Sequence, residues 1–356
     1  MTLKVELLPA KEGDSIWITY GDPSKHILID GGRSSTADTL KEKLSQTDNP
    51  MELVVVTHVD RDHIEGLLKI LQDNRSNIAC KDFWFNSYEH LNNTQLIIEA
   101  NYENAPPEIM GPRQGEELSD AIVLRGLPWN KIVLGKPIEC PTKGPGDKIK
   151  LSDDLSLQLI SPDRDKLEAL IPKWKKECRR ANILPGFVPL EHPDTEVMGP
   201  ISIDNLAEEP FEDDESLANG TSIAFLLEHD NKRILFAGDA HVDKLIAALD
   251  PLANGGKVKL NAFKVPHHGS RHNISKELLA LIDCDNYLIS TNGSYFNHPD
   301  PVAISRIIKY GGDNVNLWFN YKSPETLLWD TDSWKQDHGY HTHYPPDTDG
   351  VLPLEL

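Results

Sequence analysis

Leu53-Val54-Val55-Val56-Thr57-His58-Val59-Asp60-Arg61-Asp62-His63 decides how this chain is read. The apolar run Leu53–Thr57 predicts a strand buried on both faces, and it runs straight into His58. After it, Ile64, Leu67, Leu68 and Leu71 fall at helical spacing. Between strand and helix, four side chains that bind metals sit within six residues: His58, Asp60, Asp62 and His63. In an extended loop, alternation puts His58 and Asp60 on one side, while Asp62 and His63 can turn toward a second ion. The bland alternative is a solvated loop in which His63 caps the helix.

Two later segments repeat this design. Arg233–Ala237 predicts a strand ending in Gly238-Asp239-Ala240, and Leu260–Val265 predicts one ending in Pro266-His267-His268-Gly269-Ser270. Taken singly, an Asp after Gly reads as a helix N-cap and a His pair reads as structural. Earlier, His26–Asp30 is a short apolar run closing on Gly31-Gly32. Strands are also expected at Leu3–Leu8, Ser15–Tyr20, Phe83–Phe85, Lys148–Leu151, Leu155–Ile160, Ser222–Glu228 and Tyr287–Ser290. Helices are expected near Thr36–Leu44, Glu116–Leu124, Asp165–Arg179, Val242–Leu249, Ser275–Leu281 and Pro301–Lys309. Strand runs followed by helices in each half predict two sheets with helices outside them, an α+β sandwich.

The 356 residues carry 39% apolar and 26% charged side chains, which excludes a disordered, collagen-like or coiled-coil chain. No run approaches the roughly 20 apolar residues of a membrane helix, and the start lacks a signal peptide's apolar core, so no membrane insertion and a cytoplasmic location are expected. Cys80, Cys140, Cys178 and Cys284 have no metal spacing. Net charge is −20, and from Ala181 to Asn231 there are twelve acids and no Lys or Arg. That balance argues against non-specific wrapping of nucleic acid, whose affinity comes from neutralising phosphates. The acidic 181–231 segment is a candidate cap over the cleft or a docking surface for a protein partner.

ILIDGG (27–32), THVDRDHIEG (57–66), NGTSIAF (219–225), ILFAGDA (234–240), FKVPHHGS (263–270) and NHPDP (297–301) together resemble the metallo-β-lactamase-fold hydrolases, and within them the soluble hydrolase domain of ComEC-type DNA-uptake proteins. The resemblance implies a four-layer αββα sandwich over residues 1–330, with insertions at about 89–146 and an acidic one at 181–218, followed by a C-terminal tail at 331–356. It implies two divalent metal ions held by His58, Asp60, Asp62, His63 and Asp239, with His268 or His267 as the distal ligand. Asp239 would bridge the metals, and Asp30 would orient the ligand loop from behind. A turn-forming Asp before two glycines is the other reading of Asp30. Asp60 and Asn219 stand where many members carry His. The resulting oxygen-rich site makes Mn2+ an alternative to Zn2+.

Such a pair of ions, roughly 3.5–4 Å apart, lowers the pKa of a bridging water and holds a phosphodiester for attack on phosphorus. The implied activity is that of a phosphodiesterase or nuclease on DNA or RNA, with Asp62 essential. His267 and His298 are candidates for proton donation or phosphate contact. For His298, a structural role at a helix start is the other reading. Lys264, Arg271 and His272 flank the His pair and offer positive charge to an anionic substrate. The same fold supports hydrolysis of small esters, lactones or thioesters, and a non-catalytic subunit docking through the acidic segment is a third reading. His338, His341 and His343 read as a flexible His-rich tail, and the aromatics of Asp82–Tyr88 as core.

Overall fold

The computed structural model describes residues 3–47, 50–73, 75–76, 78–92, 112–180, 202–294, 297–347 and 350–356, with the backbone alone at 112–113 and 176–180. In chain order the strands are β1 (Leu3–Leu7), β2 (Ile16–Tyr20), β3 (Lys25–Ile29), β4 (Leu53–Val55), β5 (Phe83–Trp84), β6 (Lys148–Lys150), β7 (Leu155–Ser161), β8 (Ala224–His229), β9 (Lys232–Phe236), β10 (Val258–Leu260), β11 (Ala262–Lys264), β12 (Ile282–Cys284), β13 (Asn286–Ile289), β14 (Val315–Phe319), β15 (Tyr340–His343) and β16 (Leu352–Glu355). Among the described residues one sheet has the order β16-β1-β2-β3-β4-β5 and the other β15-β14-β13-β11-β9-β8-β7-β6. Strands β9, β11, β13, β14 and β15 run parallel, while β6 to β9 are antiparallel.

The pleat of each strand sorts its side chains between two cores. On β4, Leu53 and Val55 enter a cluster shared with the second sheet, whereas Val54 faces the helices. Strand β3 does the same with Ile27 and Ile29 inward and Leu28 outward. In the second sheet, Phe225, Leu227, Ile234 and Phe236 face the first sheet, and Leu226 and Leu235 face the opposite helix layer. Side chains alternate across a strand, so a strand apolar on both faces must lie between two layers. Helices Ala37–Ser45 and Arg61–Gln72 cover the first sheet, and helices Val242–Ala253 and Pro301–Tyr310 cover the second. The result is the expected four-layer αββα sandwich.

Three expectations are corrected. The single strand Leu260–Val265 is two: β10 pairs with β12 in a small separate sheet, and β11 joins the large one. Asn261 makes the break, because its Oδ1 and N–H bond the backbone of Arg233 and draw the chain sideways. Residues 331–356 do not form a loose tail: β15 extends one sheet and β16 pairs with β1 of the other. His343 stacks on Trp318, and its Nε2 lies 3.0 Å from Asn316 Oδ1. The third concerns Lys264, which is fully buried and so has no access to a substrate. Parts of the expected insertions at 89–146 and 181–218, and the Cys178 side chain, lie outside the described residues. No helix among the described residues is long and apolar enough to cross a membrane.

Candidate metal centre

The side chains of the centre come from the ends of buried strands and from the first turn of the helix after β4. Chain leaving β3 reaches Asp30, and chain leaving β4 reaches Thr57 and His58. The helix Arg61–Gln72 presents Asp62 and His63 in its first turn. Strand β9 leads to Asp239, and β11 leads to the His pair. The helix sits close because Gly66 lacks a side chain: a Cβ there would come within 1.9 Å of Gly31 O.

Asp30 orients the loop. Its Oδ1 accepts from Thr57 N at 2.8 Å, and its Oδ2 accepts from Thr57 Oγ1 and pairs with His63 Nδ1, both at 2.8 Å. A mere turn former would not bury its carboxylate among three donors. His58 Nδ1 lies 3.1 Å from both Thr57 Oγ1 and Ser222 Oγ, and His268 Nδ1 lies 2.9 Å from Ser290 O. All three rings therefore spend Nδ1 on the protein and turn Nε2 inward, the arrangement that fixes an imidazole as a metal donor.

Those nitrogens share one carboxylate oxygen as a common neighbour. Asp239 Oδ2 stands 3.5 Å from His63 Nε2, 3.6 Å from His268 Nε2 and 3.9 Å from His58 Nε2. Asp62 Oδ2 lies 3.3 Å from His268 Nε2 and 3.8 Å from His63 Nε2, and Asp60 Oδ2 lies 3.5 Å from His58 Nε2. The Nε2 atoms of His58, His63 and His268 and the Oδ1 of Asp239 are buried without a hydrogen-bond partner. Buried polar atoms are nearly always satisfied, so a cluster of orphans marks a missing partner. Within it, His58, His63 and Asp239 form one group able to hold an ion, and Asp62, His63 and His268 form another.

Electrostatics agree with the geometry. Burial opposes protonation of His63 and His268, yet Asp239 and the neighbouring carboxylates push His63 well up and His268 to about 10. Burial opposes the charge on Asp239 in turn, but the surrounding imidazoles hold its carboxyl well below the usual range. Asp62 is lowered for the same reason, chiefly by His63 against the effect of burial. In the metal-free chain, positive charge is drawn onto the rings by the carboxylates. A divalent cation supplies that charge directly.

His267 and His268 have unlike surroundings. Both adopt left-handed backbone, with φ of 45° and 53°, a costly conformation for side-chain-bearing residues that concentrates at functional sites. His268 is buried, with its Nε2 beside the Asp62 and Asp239 carboxylates. His267 Nδ1 lies 2.9 Å from Asn273 Oδ1 and 3.3 Å from Asp214 Oδ2, while its Nε2 stands 3.9 Å from Asp239 Oδ2. His298 packs edge-on against His267 with ring centroids 5.3 Å apart. Asn219 Nδ2 donates to Asp214 Oδ2 at 2.8 Å and lies 3.3 Å from His267 Nδ1.

Two carboxylates escaped the sequence reading. Asp214 belongs to the acidic tract, where charge composition hid one buried acid among solvated ones. Asp14 follows Gly13 between two strands and carries no spacing signal. Its Oδ2 forms an ion pair with Lys264 Nζ at 2.6 Å, and its Oδ1 lies 3.4 Å from His268 Nδ1. The other two flanking cations also serve the fold. Arg271 pairs with Glu209, and His272 Nδ1 lies 3.0 Å from Glu212 O. Arg306 donates to the carbonyls of Arg271, Ile274, Glu209 and Pro210, and Lys309 pairs with Asp204 and Glu208. The described acidic segment is thus held by cations of its own chain and supplies part of the site wall.

No protein-family model matches the chain, and no curated protein matches it. Among solved structures, it is similar to Igni18, a metallo hydrolase from Ignicoccus hospitalis (12% identity, 99% of each chain, TM-score 0.40). It is also similar to a protein from Parabacteroides distasonis described as a metal-dependent hydrolase (13% identity, 96% of this chain and 92% of that one, TM-score 0.38). Zn2+-bound PqqB from Methylobacterium extorquens follows (11% identity, 97% and 88%, TM-score 0.39). Likenesses this distant carry no argument about chemistry, which rests on the residues described above.

Proposed function

We propose that the chain is a metal-dependent hydrolase with a centre for two divalent cations, Zn2+ or Mn2+, and that it cleaves phosphodiesters, with DNA or RNA as the substrate class. The observation that carries this reading is the convergence of three buried, partnerless Nε2 atoms on the Asp239 carboxylate. In this reading His58, Asp60 and Asp239 would hold one cation, and Asp62, His63, His268 and Asp239 would hold the other. When bound, such a pair supplies Lewis acidity and an activated water at neutral pH.

The chain's own residues do the rest. Asp30 and Ser290 fix the tautomers of His63 and His268, so that Nε2 carries the lone pair. His267, gripped at Nδ1 by Asn273 and Asp214, presents Nε2 toward the reacting group and donates a proton to the leaving oxygen. His298 packs on that ring and limits its rotation.

Turnover of bis(p-nitrophenyl) phosphate, labelled single- and double-stranded DNA and RNA, p-nitrophenyl acetate and a simple lactone by the Zn2+- or Mn2+-loaded chain tests the reading. Cleavage of a phosphodiester, lost in Asp62→Ala and Asp239→Ala, is expected. Turnover of the esters alone would replace the phosphodiester assignment, and no turnover by a metal-loaded, folded chain would overturn the hydrolase.

A further inference from the structure

Behind the metal centre lies a buried ion pair that no step of the proposed reaction uses. Asp14 and Lys264 are each 1% exposed at the side chain, with Nζ to Oδ2 at 2.6 Å. A buried pair of this kind contributes little net stability over an apolar replacement, so its place in the fold calls for another reason. The second oxygen supplies one: Asp14 Oδ1 is buried, has no hydrogen-bond partner, and lies 3.4 Å from His268 Nδ1. It also belongs, with His268 and Asp239, to a group of donor atoms close enough to share one ion.

We infer that Asp14 and Lys264 are a positioning pair: Ser290 O takes the Nδ1 proton of His268, the Asp14 carboxylate beside that nitrogen reinforces the orientation that turns Nε2 toward the centre, and Lys264 keeps Asp14 itself out of the ligand set. The local structure is built to this end. A Cβ on Gly13 would come within 1.9 Å of Asp62 O, so the Gly13-Asp14 turn is pressed against the ligand loop. Ser290 Oγ donates to Gly13 O at 2.8 Å while Ser290 O engages His268 Nδ1, closing a ring of contacts around the imidazole. Lys264 comes from β11, three residues before the His pair, and Nζ also donates to Val265 O at 2.9 Å. A carboxylate beside Nδ1–H strengthens Nε2 as a donor. The same carboxylate, freed of its lysine, would compete with Asp239 for the cation.

This inference rests on the proposed metal centre, and the test separates the two. The metal-free full-length chain is titrated with Zn2+ and with Mn2+ alone, against a competing chelator, beside Asp14→Asn, Lys264→Met and the double variant. Asp14→Asn is expected to weaken binding by roughly 10- to 100-fold. Lys264→Met is expected to lower the metal-free unfolding midpoint while binding holds or rises, because the stranded carboxylate gains from a nearby cation. The double variant should recover stability and remain a weak binder, which keeps the question open to decision if Asp14→Asn folds poorly. Equal losses of affinity in both single variants would reduce the pair to a structural one, and unchanged affinity in Asp14→Asn would overturn the inference. A folded wild type that binds neither ion would overturn the metal centre as well.

Discussion

Arg306 is the most deeply buried of the cations that hold the acidic segment against the site. Its guanidinium is buried and donates to four backbone carbonyls, two in the loop after the His pair and two at Glu209 and Pro210. Replacing it by Met keeps the apolar stem and removes every one of these bonds. The two to the segment are 3.0 and 3.2 Å long and half-buried. At about 1.5 kcal/mol each for a charged donor, their loss shifts the segment's opening equilibrium by about 3 kcal/mol, or roughly a hundredfold. Hydrogen exchange at the amides of 209–216 reads this directly. Lys309→Met is the matched control, because its bridges to Asp204 and Glu208 are exposed and such pairs contribute about 0–1 kcal/mol. The segment carries Asp214, so Arg306→Met should also loosen His267 and lower turnover, with metal content retained. Equal opening in the two variants, or none in Arg306→Met, would refute the assignment of the latch to buried rather than surface charge.

Further outcomes follow from the same contacts. Gly66→Ala drives a methyl into the Gly31 carbonyl, so a loss of at least about 2 kcal/mol in denaturant unfolding is expected, together with weaker metal retention as Asp30 shifts from His63. Glu116 is pushed up to about 8 by burial and by Glu89 and Asp120. The folded chain therefore keeps a proton that the unfolded chain releases near 4.5, and stability falls as pH rises from there toward 8. Glu116→Gln should match the wild type at pH 4 and exceed it at pH 7 by at most about 3 kcal/mol, read as the difference in unfolding free energy. Asn219→Ala should leave metal content intact, since its amide serves Asp214 and not the ring of His58, and should lower turnover through His267; loss of metal would place Asn219 among the ligands instead.

Much of this was legible before any coordinates. The strand at Leu53–Val55 and the helix after it are written in periodicity, and both faces of β4 are apolar because the strand lies between layers. Ligand types at strand ends brought His58, Asp62, His63, Asp239 and the His pair together. What escaped had weaker local signals. Asp14 and Lys264 are 250 residues apart, and nothing in either stretch marks a buried ion pair, so Lys264 read as a surface cation. Asp214 looked like its solvated neighbours because two of the partners that enclose it, His267 and Asn273, lie far along the chain. That His267 and His268 meet unlike partners was not legible either, because it depends on two successive left-handed residues. Histidines 341 and 343 read as a tail because a four-residue edge strand is too short to assert a period.

Metal ions would satisfy the orphaned donor atoms of His58, His63, His268 and Asp239. Elemental analysis of the purified full-length chain, offered Zn2+ and Mn2+ and then freed of loosely held ions, tests this most directly, beside Asp62→Ala treated alike. About two ions per wild-type chain and about one or fewer in the variant are expected. A folded wild-type chain that retains no ion, or a variant that retains as many as the wild type, would contradict the account.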